Sequence, residues 1–325
     1  MERAMSEETI LSSRVVSSLA GKSLLDYLCG RFKYYSQDAW DALIREGKVA
    51  VNGERSQPGR RLEKNDIVSY RTVLREPPVD ADIAIIHEEE SFIVAGKPGN
   101  LPSHGDGNYI KNTFIYLLRH RLAEEGHRGP VKLVHRLDRE TSGIILTAKT
   151  DQAHRALTRQ FEAGTVMKEY LAVARGAIEE EHLQISGAIA RDDGSAISIK
   201  RRVVPVGTEG SRAAATRFEV LERLRGFTLV LCLPSTGRTN QILIHLAHIG
   251  HPIAGDKLYG RSDEEFLEYV RRARAGIHEP LPWMESSRHL LHAAALTIDH
   301  PLTGERVTFR CPTPPDMNAF IAAAR

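Results

Sequence analysis

Cysteine is nearly missing from this chain: Cys29, Cys232 and Cys311 are all it has in 325 residues. Odd in number, far apart and never in a CxxC arrangement, they argue against a disulfide framework or a structural zinc site and read as ordinary thiols of a reducing compartment. No uninterrupted apolar run approaches the length of a membrane span. An excess of either charge is also lacking, with 44 Lys plus Arg against 42 Asp plus Glu and a formal net charge of +2. So mild a balance does not announce a nucleic-acid binder, and any basic surface has to come from local clustering. The first residues carry Glu2, Glu7 and Glu8 and no apolar stretch, which fits neither a secretory signal nor an acid-poor transit peptide, so a cytoplasmic protein is expected. Internal repeats and low-complexity tracts are absent as well.

What is present is enough chain for a sizeable core and, by length, for two domains of unequal size. Residues 1–20 are polar and Ser-rich with weak periodicity and are expected to form a flexible tail. From Lys22, the apolar Leu24, Leu25, Tyr27 and Leu28 recur at helical spacing, and a second helical pattern runs from Ser36, a candidate N-cap, through Trp40, Leu43 and Ile44. Lys48–Val51 then alternates, Asn52–Gly53 signals a tight turn, and Asp66–Tyr70 reads as a short strand. The stretch 21–75 is therefore a helix–helix–hairpin module. Glu76-Pro77-Pro78-Val79-Asp80 is stiff and polar, the composition of a linker, and 76–82 is taken as the boundary.

Beyond it, strand-like runs are frequent, at 83–87, 92–95, 144–148, 170–174, 218–221, 227–233, 295–298 and 307–309, with helical patterns at 113–122, 151–163, 239–249 and 264–275. Strands dominate without strict alternation with helices, which predicts an α+β fold on a mixed, largely antiparallel sheet over 83–325. The charged segment 261–287, with Pro280 and Pro282, is expected to be a surface excursion.

The densest ionisable cluster is His135-Arg136-Leu137-Asp138-Arg139-Glu140, immediately before the apolar run Ile144–Leu146. A charged solvated loop is one reading. The other is catalytic: Arg136 and Arg139 favour an ionised Asp138, and a carboxylate kept charged can act as nucleophile or base without metal or cofactor. A glycosidase-like pair with Glu140 is weakly supported, because residues two apart do not share a helical face and point alike only in a strand. His245 and His248 could meet on one helical face and bind a metal, but Gly250 and Pro252 end that helix before His251 and no nearby Cys or carboxylate completes a ligand set, so no metal is expected. Ser235–Thr239 is a polar turn entering a helix whose N–H groups could receive a phosphate. Tyr170, opening a strand, is either a core tyrosine or a stacking platform for a base.

Together these segments resemble the RluA family of pseudouridine synthases. HRLDRETSG at 135–143 is similar to the family's signature loop, with Asp138 at its essential aspartate. FIVAGKPGNLPSH at 92–104, KEYLA at 168–172, TGRTNQI at 236–242, HLAHIGHPIAGDKLYG at 245–260, and LHAAAL with HPLTGE between 291 and 305 extend the likeness from about Ile83 to the end. The segment LPSH at 101–104 with Asn108, Tyr109, Asn112 and Thr113 is similar to a subgroup that includes tRNA-acting members. Residues 22–75, with IREGKVAVNG at 44–53, resemble the RNA-binding module of ribosomal small-subunit protein four, in which Lys33, Arg45, Lys48, Arg55, Arg60 and Arg61 would contact phosphates. The resemblance implies a cofactor-free isomerase of rRNA or tRNA, with Asp138 as catalyst and a substrate-binding set of Arg136, Leu137, Tyr170 and Arg238; a monomer is the simplest expectation. Arg136 would be the wedge that helps a uridine leave its stack, and Tyr170 the residue that stacks on it. One departure stands out. Leu243 occupies the position of the family's arginine that pairs with the catalytic aspartate, and a cation lost there would raise the pKa of Asp138. The alternative that follows is a catalytically impaired RNA-binding or ribosome-assembly protein on the same fold.

Overall fold

The computed structural model describes residues 8–32, 35–73, 76–105, 109–275, 277 and 279–325, so Lys33 and Asn108 lie outside the described residues. Two compact units emerge, Met1–Pro78 with Gly105–Asn112, and Val79–His104 with Thr113–Arg325.

In the first unit, β1 (Glu8–Arg14) is followed by α1 (Leu24–Arg31), α2 (Gln37–Arg45), β2 (Val49–Val51), β3 (Glu54–Arg55) and β4 (Ile67–Val73), with sheet order β1-β4-β2-β3. Ser36 does cap α2, accepting from the Ala39 N–H, and Ser23 caps α1 through the Asp26 N–H. Asn52 and Gly53 both take positive φ, 54° and 85°, forming the two-residue hairpin turn between β2 and β3. The expected flexible tail over 1–20 is corrected for the described part of it. Residues 8–14 pair with β4 along their whole length, and Val15 is fully buried. The reason is a period of two hidden in a Ser-rich stretch: Leu11 packs on the core beside Trp40, Tyr27 and Leu28, while Ile10 and Ser12 face outward along the sheet edge. Glu76 ends this unit by accepting the backbone N–H groups of Ile110, Lys111 and Asn112 at 2.9, 2.8 and 2.7 Å.

The second unit is built on β5 (Ala84–Glu88), β6 (Phe92–Lys97), α3 (Phe114–Glu124), β7 (Lys132–Leu133), β8 (Ser142–Ala148), α4 (Asp151–Ala163), β9 (Met167–Arg175), β10 (His182–Arg191), β11 (Arg201–Val204), β12 (Arg212–Leu224), β13 (Phe227–Pro234), α5 (Gln241–His248), α6 (Asp263–Arg274), β14 (Leu291–Asp299), β15 (Arg306–Arg310) and α7 (Pro315–Ala324). The sheet runs β11-β10-β12-β13-β9-β14-β8-β6-β5, with β15 on β14 and β7 on β8. Every pairing is antiparallel except β14 with β8, so the expected mixed, largely antiparallel class holds.

β6 and β8 are covered on both faces, which is why their sequences read as unbroken apolar runs. Ile93, Ala95 and Ile145 pack with Phe114 and Leu118 of α3, whereas Phe92, Val94, Ile144 and Leu146 pack with Leu157 of α4. The excursion 261–287 contains α6, whose N-terminus is closed by a reciprocal capping box between Ser262 and Glu265. No helix among the described residues is long and apolar enough to cross a membrane.

Candidate active site

Asp138 lies on the loop between β7 and β8, and that loop is held by its backbone from two directions. On one side, Ser103 Oγ donates to the Leu137 carbonyl at 2.6 Å and accepts from the Leu137 N–H at 3.0 Å, while the Leu101 N–H donates to the Arg139 carbonyl at 3.1 Å. Lys97 is 1% exposed at the end of β6, and its ammonium donates to the carbonyls of Pro98, Leu101 and Arg139 at 2.8, 2.8 and 3.1 Å. On the other side, the Glu140 carboxylate accepts from Lys257 Nζ at 2.7 and 2.8 Å and from the His289 N–H at 3.0 Å, and Arg288 donates to the Glu140 carbonyl at 3.0 Å. Gly143, the second residue of β8, takes φ +113°, and a Cβ there would stand 2.2 Å from the Ala293 carbonyl oxygen, so only glycine lets β14 approach.

The Asp138 carboxylate itself accepts no hydrogen bond from a described residue, although the loop around it is fixed. Burial pushes its pKa above the ordinary carboxylate value, Arg136 and then Lys97 oppose that rise, and Glu140 adds to it. Of the two arginines expected to favour an ionised Asp138, Arg136 does lower its pKa, whereas in place of Arg139, whose guanidinium reaches Glu140 at 3.2 Å, the second cation to do so is Lys97, and burial outweighs both. Burial alone would raise Glu140 too, but Lys257, His289 and Arg139 hold it down at about 2.

Tyr170, in β9, has its hydroxyl pushed well above the usual phenol range by burial and next by the charge of Asp138, so it stays protonated. Arg136 is exposed, and its guanidinium meets His104 Nε2 at 2.7 Å. Leu137 is buried. Arg238 donates through Nε to the Ala213 carbonyl at 2.9 Å and lies close enough to Lys168 to help burial lower the pKa of that lysine. Of the N–H groups in the 235–239 turn, that of Arg238 is taken by Gln241 Oε1 at 3.0 Å. Leu243 is 3% exposed and belongs to the apolar cluster with Val230 and Cys232. His245 sits fully buried with Nδ1 2.9 Å from Thr216 Oγ1, burial holds its pKa down at about 4, and no group of three potential metal ligands occurs among the described residues.

In the first unit, Arg45 and Lys48 pair with Asp41 and Glu46, Arg55 lies against Gly47, and Arg61 donates to the Gly21 carbonyl. Sequence reading missed the anchoring set Lys97, Glu140, Lys257, Arg288 and His289. Its one visible signal is ionisable residues closing apolar runs, as Lys97 closes FIVAGK.

Residues 91–248 match the RNA pseudouridylate synthase family. The "Uncharacterized RNA pseudouridine synthase YlyB" of Bacillus subtilis (strain 168) is 33% identical over 292 residues, covering 87% of this chain and 87% of that protein. The "Ribosomal large subunit pseudouridine synthase C" of Escherichia coli (strain K12) is 33% identical over 311 residues, 92% of this chain and 91% of its own length. Among solved structures, "Human RNA Pseudouridylate Synthase Domain Containing 1" superposes with a TM-score of 0.56 at 29% identity, covering 75% of this chain and 90% of that one.

Proposed function

This chain belongs to the RluA family of RNA pseudouridine synthases, an isomerase class, and we propose that it converts specific uridines of structured ribosomal RNA to pseudouridine through Asp138, with tRNA as the alternative substrate. The observation that carries this reading is a carboxylate that no described residue engages, on a loop whose backbone is bonded on both sides. Such a group is free to meet a substrate while its position costs no reorganisation. In the reaction the N1–C1′ bond of uridine breaks and a C5–C1′ bond forms, C5 gives up its proton and N1 gains one, so atoms and electrons balance without a cofactor. Asp138 either attacks the ribose or the base, or takes a ribose proton.

Arg136 acts as the wedge, releasing His104 when it enters the RNA, and Tyr170 stacks on the flipped base, offsetting an unstacking cost of a few kcal/mol. Leu137 and Arg238 complete the substrate-binding set. The module 21–75, joined by the linker 76–82 to the catalytic domain 83–325, adds phosphate contacts from Lys33, Arg45, Lys48, Arg55, Arg60 and Arg61. A monomer in the cytoplasm suffices for these roles.

A second reading, an RNA-binding or ribosome-assembly protein with impaired catalysis, is favoured by Leu243 alone, since an apolar side chain there gives Asp138 no cation. Pseudouridine mapping of total RNA from a strain lacking the gene, complemented with wild type, Asp138→Asn or Leu243→Arg, decides between them. A site lost on deletion and restored by wild type but not by Asp138→Asn supports the isomerase, with product reduced on the order of a thousandfold or more. Product restored only by Leu243→Arg, or in no strain, supports the second reading.

A further inference from the structure

At the C-terminal end of α3 a depression of about 420 Å³ opens, lined by Arg119, His127, Arg128, Gly129 and Lys132 but by no carboxylate. Its cations are held rather than loose. Arg119 donates through Nε and a terminal nitrogen to the Val131 carbonyl at 2.9 and 2.6 Å, and Arg128 donates to the Ala123 carbonyl at 2.9 Å. Each guanidinium has five N–H donors, so both keep unspent ones. Lys132 is answered by Asp151 at 2.7 Å, outside the lining. His127 Nε2 is shut off from solvent and has no hydrogen-bond partner. A buried ring nitrogen in that state costs about 1–3 kcal/mol, which an entering oxyanion would relieve. Gly129 packs against the ring and brings no side chain of its own, since a Cβ there would stand 3.0 Å from His127 Cε1 and 3.1 Å from Nε2.

We propose that this depression is a phosphate-binding subsite that takes a backbone phosphate of the substrate RNA at a distance from the target uridine; this rests on reading the chain as an RNA isomerase. Lys132 pairs with Ala148 at the far end of β8 from Gly143, about 17 Å along the strand, so the depression cannot touch the reacting base. It is open, and apart from His127 it holds no ring to stack on a base and no carboxylate to bind ribose hydroxyls. Its chemistry recognises the phosphate and nothing else of a nucleotide, as a backbone contact does.

The test uses the full chain, an rRNA fragment containing the mapped site, and equilibrium binding across a salt series. Arg128→Ala is expected to weaken binding about fivefold near 0.1 M salt and to reduce the slope of log K against log salt by roughly one, and Lys132→Gln to shift both in the same direction. Inorganic phosphate, titrated at constant ionic strength, is expected to weaken RNA binding of the wild type more than that of Arg128→Ala. Wild-type affinity and slope in both variants overturn the proposal. If phosphate then still perturbs the His127 ring resonances, the depression serves a free phosphate compound instead of RNA. Because affinity is read without turnover, an inactive wild type would count against the isomerase reading while these outcomes still decide the subsite.

Discussion

The two units use charge in opposite ways. In the smaller one, Arg45 with Asp41 and Lys48 with Glu46 form ion pairs at the surface, the arginine and lysine side chains 66% and 47% exposed. In the larger one, Lys257 and Glu140 meet with 6% and 13% of their side chains exposed, beside a buried Lys97. Exposed pairs contribute little and are screened by salt, so such a cation can exchange a carboxylate for a phosphate at small cost. A buried pair cannot exchange partners, and breaking it strands a charge, so it fixes geometry instead. On the proposed function, the same residue types would serve RNA affinity in one unit, while in the other they set loop position.

The largest break in that contrast comes from Glu140→Gln. Lys257 is left as a buried ammonium without a counter-charge, and a loss of about 3 kcal/mol or more is expected in chemical denaturation, with little relief from added salt. A loss below about 1 kcal/mol would mean that the pair does not anchor the loop. Next comes the pH profile. The proposed mechanism calls for an ionised Asp138 and burial raises its pKa, so kcat/KM should fall about tenfold per pH unit on the acid side, starting at a higher pH than an unperturbed aspartate would give. An acid limb at the ordinary carboxylate value would remove burial as the dominant cause.

Asp256→Asn sharpens the comparison from the opposite direction. Asp256 Oδ1 accepts the Leu258 and Tyr259 N–H groups, while Oδ2 is buried with no partner and burial raises the carboxyl to about 7. A folded-state pKa above the unfolded value near 4 gives stability that is present at low pH and lost as pH rises through about 7. The amide keeps the Oδ1 acceptor and carries no charge, so the variant should be more stable than wild type by roughly 1–2 kcal/mol at pH 8 and by less at pH 5. Equal differences at the two pH values would refute the assignment. The smallest effect is expected from Arg60→Ala with Arg61→Ala: RNA affinity weakens a few-fold at low salt, the salt slope drops by roughly two, and the denaturation midpoint hardly moves. An unchanged slope would take these arginines out of the interface.

Fold class was legible because apolar spacing differs between strand and helix, and α4 begins and ends where its pattern does, at Asp151 and Ala163. β10 and β11 escaped because small and charged residues, as in GAIAR and RRVV, dilute the period-two signal on the edge strand β11 and its neighbour. β1 escaped because its serines disguise an alternation that only pairing with β4 makes visible.

The sequence by itself determined the family, the α+β class and the candidate aspartate, since each rests on the order and types of nearby residues. Tertiary structure alone decided which charges surround Asp138. Arg139, one residue away, turns to Glu140, whereas Lys97, 41 positions earlier, reaches the loop across β6. Electrostatic influence depends on distance and burial, and both are set when β8, β6 and β14 pack, through contacts far apart in the chain.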